Sequence, residues 1–575
     1  MRILANDLEW LAPAADLLDA GHDVVRLDGD AIRRAWQTPD GDWWRRLVPD
    51  GWVPDVAVLA LPEYRPLPPL LSALPCPVVL WVGDWYANAQ AVTWVAGQAE
   101  LILADATGVA AMRRGAIRSD VAELCPWTYD PRVHRPDWDA QPLRDVGFMG
   151  NMGEALQAPR NRWLARVARL APDLRVELGA GRFGDDYVRF VQTSKLTFNY
   201  SLTGDVNMRC FEATACGSAT LINRAALEQV SRWFEPGREL IPYDATDFED
   251  VVDHYLRDDD ARKAIARAGW ARVQEHGPAQ RLQQLVGLLE RVAGLPRRAD
   301  LPTPGRAGGA SARQALSVAD TAAAPGYEIA IDGAATEAPG DAGDQLALAA
   351  TYLHIAGSDH PRAGDALLWV GEALDAAARL DPACATSALA RAQLMLLLEH
   401  RDIARTLADQ LVVELLAHRA VARADRQPLV DAVAWRRQRQ DAILAGGDPT
   451  DELTRLTLVE ALKLSASADA DPARRSNTLA TALAASAGDV SVRLKLAIAL
   501  LACDPPAALP HTRIVVADLP LNVTGWTAHA HALVASGALD EAEAFVQARL
   551  ALAQRVTVDP AQLQQLSAVV APVAA

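Results

Sequence analysis

Residues Asn207 to Ile222, NMRCFEATACGSATLI, set an arginine and a glutamate three positions apart on an otherwise apolar segment that a glycine then interrupts. If the segment is helical, Arg209 and Glu212 share a face. A guanidinium at a helix start, beside backbone N–H groups with no intrahelical partner, suits a diphosphate. A carboxylate one turn further in can accept two hydrogen bonds and suits the cis-diol of a ribose. The alternative is an i,i+3 surface ion pair worth only about 0.2–0.5 kcal/mol. The surrounding elements decide between the two.

Those elements alternate short apolar runs with longer helical patterns from residue 1 to about 293, the signature of parallel sheets wrapped by helices. The first set of strands is expected at 1–5, 23–27, 55–61, 77–82 and 100–104. After a proline-rich stretch the rhythm restarts, with strands expected at 145–150, 174–179, 196–200, 218–222 and 239–243. Two such sets imply two Rossmann-like lobes, at 1–140 and 141–293, the second ending in a helix from Ala279 to Val292. Thr246 to Glu249 reads as a capping box, and Asp258 to Asp260 as the acidic first turn of the next helix rather than a metal site. Residues 294–343 are rich in glycine and proline and read as a flexible linker. From 344 to 575 the chain is alanine-rich and helical, with two parts, 373–411 and 526–552, resembling tetratricopeptide-type hairpins. The fold class is therefore α/β, two Rossmann-like lobes, followed by an all-α helical-repeat domain.

In a parallel sheet, ligands sit beyond the carboxyl ends of the strands. In the second lobe this nominates the loops Gly150 to Gly153 (with Asn151), Gly179 to Arg182, Ser201 to Asp205 (with Gly204) and Asn223–Arg224. The third leads directly into the helix that carries Arg209 and Glu212.

Composition removes several classes. A formal charge of −17 and a pI near 5.2 argue against a nucleic-acid partner. No run of about 18 apolar residues occurs and the start lacks a signal-peptide pattern, so a cytoplasmic protein without a membrane span is expected. The six cysteines are scattered, with no C-x-x-C pair, and predict neither a metal site nor a disulfide framework. Asp28-Gly-Asp30 mimics an Asp-x-Asp metal motif but stands in a turn-like context. Few lysines and abundant alanine suggest a GC-rich, bacterial coding sequence.

The block Thr193 to Gly277 resembles the donor-binding lobe of GT-B glycosyltransferases, and among them the group containing the spore-maturation protein CgeB. The residues carrying this are Asn199, then Arg209, Phe211, Glu212, Ala213, Ala215, Cys216 and Gly217, then Phe234, Pro236, Gly237, Glu239 and Leu240. GFMGNMGEALQAPRNRW resembles the group's lobe-opening segment, with Arg160 where an arginine is common. VVLWVGDWY, LILADATGV and LCPWTYDPRVHRP resemble the acceptor lobe more loosely.

The resemblance covers residues 1 to 293 and implies transfer of a sugar from a nucleotide-diphosphate sugar, without a bound metal or other cofactor. Arg209, with Arg160 or Arg182 and the helix amides, would stabilise the departing diphosphate. If the reaction inverts, Asp84 is the expected base, its alternative being a cap on the next helix; Asp7 and Glu9 are weaker candidates. Trp43, Trp44 and Trp85 could stack on a sugar, although core packing suits most tryptophans better. Retaining relatives often carry an acidic residue eight positions before the ribose glutamate, where this chain has Gly204, with Asp205 beside it. The helical repeat would recruit an acceptor, a protein being the class such surfaces suit. The alternative is an inert sugar-nucleotide-binding interaction scaffold.

Overall fold

The structure is a computed structural model. It describes residues 1–298 and 341–571, apart from positions 7, 9–10, 12–13, 38–40, 62–66, 69, 87–91, 93–94, 115–119, 153, 171–172, 357–362, 424–425, 427–428, 430–437, 440, 444, 446–447, 555 and 557–558. An N-terminal region of parallel sheets and helices precedes a long all-α region. The chain divides into two compact units, Met1–Pro126 with Pro278–Ala468, and Trp127–Gly277 with Asp469–Ala575.

In the first unit, strands β1 (Arg2–Asn6), β2 (Asp23–Leu27), β3 (Val56–Leu61), β4 (Val78–Val82), β5 (Leu101–Ala104) and β6 (Asp120–Glu123) form one sheet in the order β2-β1-β3-β4-β5-β6. Every strand pair is parallel. A parallel sheet is covered on both faces, so its strands read as unbroken apolar runs. Leu4, Ala57, Leu59, Leu80 and Ile102 enter one core. Their neighbours Ile3, Val56, Val58, Val79, Trp81 and Leu103 enter the other, with Leu282, Leu285, Leu288, Leu289 and Val292. Helix Pro278–Val292 thus completes the second face of the first sheet, although it follows the second lobe in the chain.

Five of these strands match the sequence pattern. The sixth, DVAE, does not read as a strand because it is an edge strand with largely uncovered side chains. Trp43 and Trp44 lie in the first core and are not available to stack on a sugar. Asp28 accepts a hydrogen bond from the Ala31 amide at 2.7 Å, which makes the Asp-x-Asp segment a helix cap. Most of the expected linker, 299–340, lies outside the described residues. Its start is anchored: Arg297 donates to Glu100 Oε2 and to the Cys76 carbonyl, and the Arg298 amide donates to Glu100 Oε1.

In the second unit, β7 (Arg144–Met149), β8 (Val176–Gly179), β9 (Ser194–Thr197), β10 (Ala219–Asn223) and β11 (Ile241–Tyr243) form a parallel sheet in the order β11-β10-β9-β7-β8. Its helices include α1 (Glu154–Ala168), α2 (Gly184–Gln192), α3 (Met208–Ala215), α4 (Phe248–Arg257) and α5 (Asp259–Val273). The capping box before α4 does not form. Glu249 is drawn away by Arg166, whose Nε donates to it at 2.6 Å, and Thr246 donates its hydroxyl to Asp244 instead. Before α5 the side chain of Asp258 does cap, accepting from the Ala261 amide, while Asp259 pairs with Lys263.

Within each unit, the described helices of the all-α region pack on their chain neighbours. The stretch 373–411 spans parts of three helices, Ala363–Leu380, Ala385–Leu397 and Arg401–Leu416, rather than one hairpin. The second hairpin holds: helices α6 (Val523–Ala535) and α7 (Leu539–Ala553) are joined at Gly537, whose φ of +78° lies in the left-handed region that favours glycine. Trp526 and Ala542 are fully buried between them. This hairpin shares one core with the second sheet, where its Val523, Trp526 and Val546, with Leu566 of the helix Pro560–Ala568, join Val146, Phe148, Leu196 and Phe248. Truncating Trp526 to Ala should therefore cost about 3–5 kcal/mol. Guanidinium unfolding followed by the near-UV signal of the second lobe should shift with it.

Candidate functional site

The chain leaves β7 toward β8 on one side and returns to β9 on the other. The carboxyl ends of β7 and β9 therefore flank the topological switch point, where an open α/β sheet offers its ligand crevice. Arg209, in the first turn of α3, reaches into this place. Its Nε and Nη2 donate to the Met149 carbonyl at 3.2 and 2.8 Å, and its Nη1 donates to Asn199 Oδ1 at 3.1 Å. The guanidinium stands 4.6 Å from the Phe148 ring centroid. Among the described residues no carboxylate lies within ion-pair distance of it.

The sequence builds this cradle in two ways. Gly150 follows β7 because a Cβ there would overlap Arg209 Nη2. Asn199 is consumed as a fixture: its amide donates to Cys210 Sγ, its Oδ1 also accepts from Asn207, and its carbonyl accepts from the Tyr243 hydroxyl at 2.8 Å. Because Asn207 turns its side chain to Asn199, it makes no cap at the N-terminus of α3. An uncapped helix start and a guanidinium with no carboxylate at ion-pair distance among the described residues thus sit together, a combination that attracts an anion.

Arg160 joins them: its Nη2 donates to the Asn151 carbonyl, and its guanidinium lies 5.4 Å from the same Phe148 ring. Asn151 itself is exposed. Arg182 is placed differently. It pairs with Glu177 at 2.6 Å and lies 5.1 Å from the Phe190 ring centroid, a cluster built on β8 and α2. Gly204 takes a φ of +80° and closes the loop after β9. The buried Asp205 carboxylate accepts from the hydroxyls of Ser201 and Thr203, while Asn223 exchanges hydrogen bonds with the Ser201 backbone. Asp205 therefore holds the loop's shape. In the first unit, Asp84 sits just beyond β4 with φ +39°, a left-handed conformation that aspartate tolerates better than most residues. Trp85 after it donates to Thr107 and packs on Gly108. Asp7 and Glu9 lie outside the described residues.

Glu212, one turn along α3, has a side chain 20 % exposed, with His134 Nε2 at 3.6 Å. Burial pushes its carboxyl above the ordinary glutamate value, while His134, Arg209 and Tyr187 pull the other way. His134 and Tyr187 escape a sequence reading, because nothing local in PRVHRP or DDYVRF points at a glutamate on another helix.

Residues 148–287, most of the second lobe, match the family model described as "Glycosyl transferase-like". Among solved structures, the sucrose-phosphate synthase of Thermosynechococcus elongatus is 10 % identical with a TM-score of 0.36, covering 51 % of this chain and 99 % of that one. Anabaena HepE in complex with UDP-glucose is 13 % identical with a TM-score of 0.34, covering 51 % and 100 %. A glycosyltransferase from Rickettsia africae is 10 % identical with a TM-score of 0.36, covering 51 % and 98 %. No curated protein matches the chain. Among the described residues no helix is long and apolar enough to cross a membrane.

Two outcomes follow from the geometry. Gly150 has no positive φ, so Gly150→Ala should fold yet displace Arg209; calorimetry should show anion or nucleoside-diphosphate affinity falling about tenfold, the worth of one hydrogen bond to a charged group. The second concerns stability. A carboxyl raised in the folded state above its ordinary value of 4.5 favours folding below that value, and the benefit is lost as pH rises through the raised one. Glu212→Gln should accordingly melt above the wild type at neutral pH, and the gap should close on acidification in a thermal-melt series.

Proposed function

We propose that the protein transfers a sugar from a nucleotide-diphosphate sugar to an acceptor as a metal-independent GT-B glycosyltransferase of CgeB-like type. The observation that carries this is Arg209: a guanidinium held by two neutral oxygens, with no carboxylate at ion-pair distance among the described residues, at an uncapped helix start on the switch point. A diphosphate is the group that completes it. As the glycosidic bond breaks, negative charge gathers on the leaving diphosphate, and Arg209, Arg160 and the first-turn amides of α3 are fixed donors for that charge. Glu212 takes the ribose hydroxyls. Gly204 and Asp205 shape the loop beside the sugar, Arg182 flanks the site from the β8 loop, and Asp84 of the first lobe is the proposed base if the outcome is inversion.

We assign 1–140 as the acceptor lobe, 141–293 as the donor lobe with its return helix, 294–343 as the linker and 344–575 as a tetratricopeptide-like helical region that presents a protein acceptor in the cytoplasm. A second reading, nucleotide-sugar binding without transfer, is favoured by one feature: Asp205, the acidic residue nearest the expected sugar position, is engaged inside its own loop.

A thermal-shift screen of UDP-, GDP-, ADP- and dTDP-sugars should show stabilisation by at least one donor. Arg209→Ala should abolish it, and Arg209→Lys should restore it only in part, because an ammonium cannot reproduce the three-point hold. Donor hydrolysis or transfer with cell lysate then separates the two readings. Binding with no turnover under any condition supports the scaffold, and no binding by any donor sinks both.

A further inference from the structure

The segment between the two sheets does more than connect them. From Trp127 onward it lies with the second unit, and its residues 128–138 strap across α2, α3 and α5. Thr128 and Tyr129 donate to the His276 carbonyl and Gln274 Oε1. Gln192 donates to the Arg135 carbonyl at 2.7 Å. Trp138 stacks edge-on with Trp270, 6.1 Å between centroids. The strap closes on Gly217, whose φ is +76° and where a Cβ would meet Pro136 at 2.8 Å and Trp138 at 3.1 Å.

The tightest point of the strap puts His134 against Glu212. The Asp130 amide donates to His134 Nδ1 at 3.0 Å, so in the neutral ring the proton resides on Nε2, the nitrogen 3.6 Å from Glu212 Oε1. Tyr187 meets the imidazole edge-to-face, with 6.2 Å between centroids and 84° between planes. Its hydroxyl is buried beside the same carboxylate and has no hydrogen-bond partner among the described residues. An imidazole N–H at 3.6 Å and a buried phenol hydroxyl, from different elements, therefore border one carboxylate that stays partly exposed, each a short shift from donating to it.

We infer that His134 and Tyr187 position the Glu212 carboxylate to read the 2′ and 3′ hydroxyls of the donor ribose, so that this strap residue sets the preference for ribonucleotides over deoxyribonucleotides. A carboxylate has about four acceptor positions. Once the ribose draws the carboxylate into place, the His134 N–H and the Tyr187 hydroxyl take two of these and hold the remaining two in one orientation, and a diol matches that orientation where a 2′-deoxy sugar leaves one acceptor unmet. The inference rests on the proposed nucleotide-sugar reading.

The test is calorimetric. The nucleoside diphosphate that binds the full-length chain most tightly is compared with its 2′-deoxy analogue, in the wild type and in Glu212→Ala, His134→Ala, His134→Gln and Tyr187→Phe. The wild type should prefer the ribonucleotide by about tenfold or more. Glu212→Ala and His134→Ala should bring the ratio near unity, the ribonucleotide losing more affinity than the deoxy analogue, which forfeits only the bond of its 3′-hydroxyl, and His134→Gln, which keeps an N–H donor, should recover part of it. A looser fold would weaken both ligands alike and leave the ratio intact. If His134→Ala does not fold, Tyr187→Phe, which removes one hydroxyl, should lower the ratio alone. An unchanged ratio in the histidine and tyrosine variants, with Glu212→Ala abolishing it, overturns the inference and leaves the donor reading standing. An unchanged ratio in Glu212→Ala overturns the ribose assignment itself, and the inference with it.

Discussion

The second lobe is organised around one guanidinium that has no carboxylate at ion-pair distance among the described residues. Arg209 is fixed by the Met149 carbonyl and Asn199 Oδ1, both neutral. Neutral oxygens orient a guanidinium without cancelling its charge, whereas a carboxylate would do both and leave nothing for a ligand. Several otherwise separate features serve this arrangement. Gly150 leaves the space, Asn199 is tied down on three sides, and Tyr243 steadies the backbone of Asn199 from β11. Asn207 also makes no cap on α3, which leaves a second source of positive potential at the same point.

Much of the scaffold is legible in the sequence because a parallel sheet writes itself as unbroken apolar runs. VAVLAL and VVLWV become β3 and β4 with every described residue of β4 buried. What escapes is what periodicity does not encode. β6 is a short edge strand, so its pattern is that of a loop. The capping box at Thr246 satisfies the local rule but loses Glu249 to Arg166, a contact formed only when the lobe is assembled. The same distinction divides the site. Arg209 and Glu212 are visible as a pair because they share one helix; Gly150 reads as a turn residue and His134 as part of a loop, and their roles exist only through contacts distant in the chain.

The helical region shows why sequence boundaries and packing boundaries differ. Composition changes near residue 344, where alanine-rich helices begin, yet the last helices share a core with the second sheet through Trp526 and Val546. A helix whose apolar face finds a partner surface joins that core regardless of its place in the chain. Helix Pro278–Val292 makes the same point in the first unit, filling a sheet face that precedes it by most of a lobe.

Glu212 shows how such a lobe accommodates function. Burial raises its carboxyl above the ordinary value, so the ionised form that could accept ribose hydroxyls costs folding stability. His134 and Arg209 reduce that cost through charge, Tyr187 through its hydroxyl, and none removes it. A purely structural role would be served as well by an apolar or neutral side chain, since a buried charge is weak evidence for stability. The combination of a destabilised carboxylate, polar groups bordering it from the strap and from α2, and a guanidinium with no carboxylate at ion-pair distance among the described residues suits the ligand we propose, one that brings both hydroxyls and negative charge. A nucleoside diphosphate brings both.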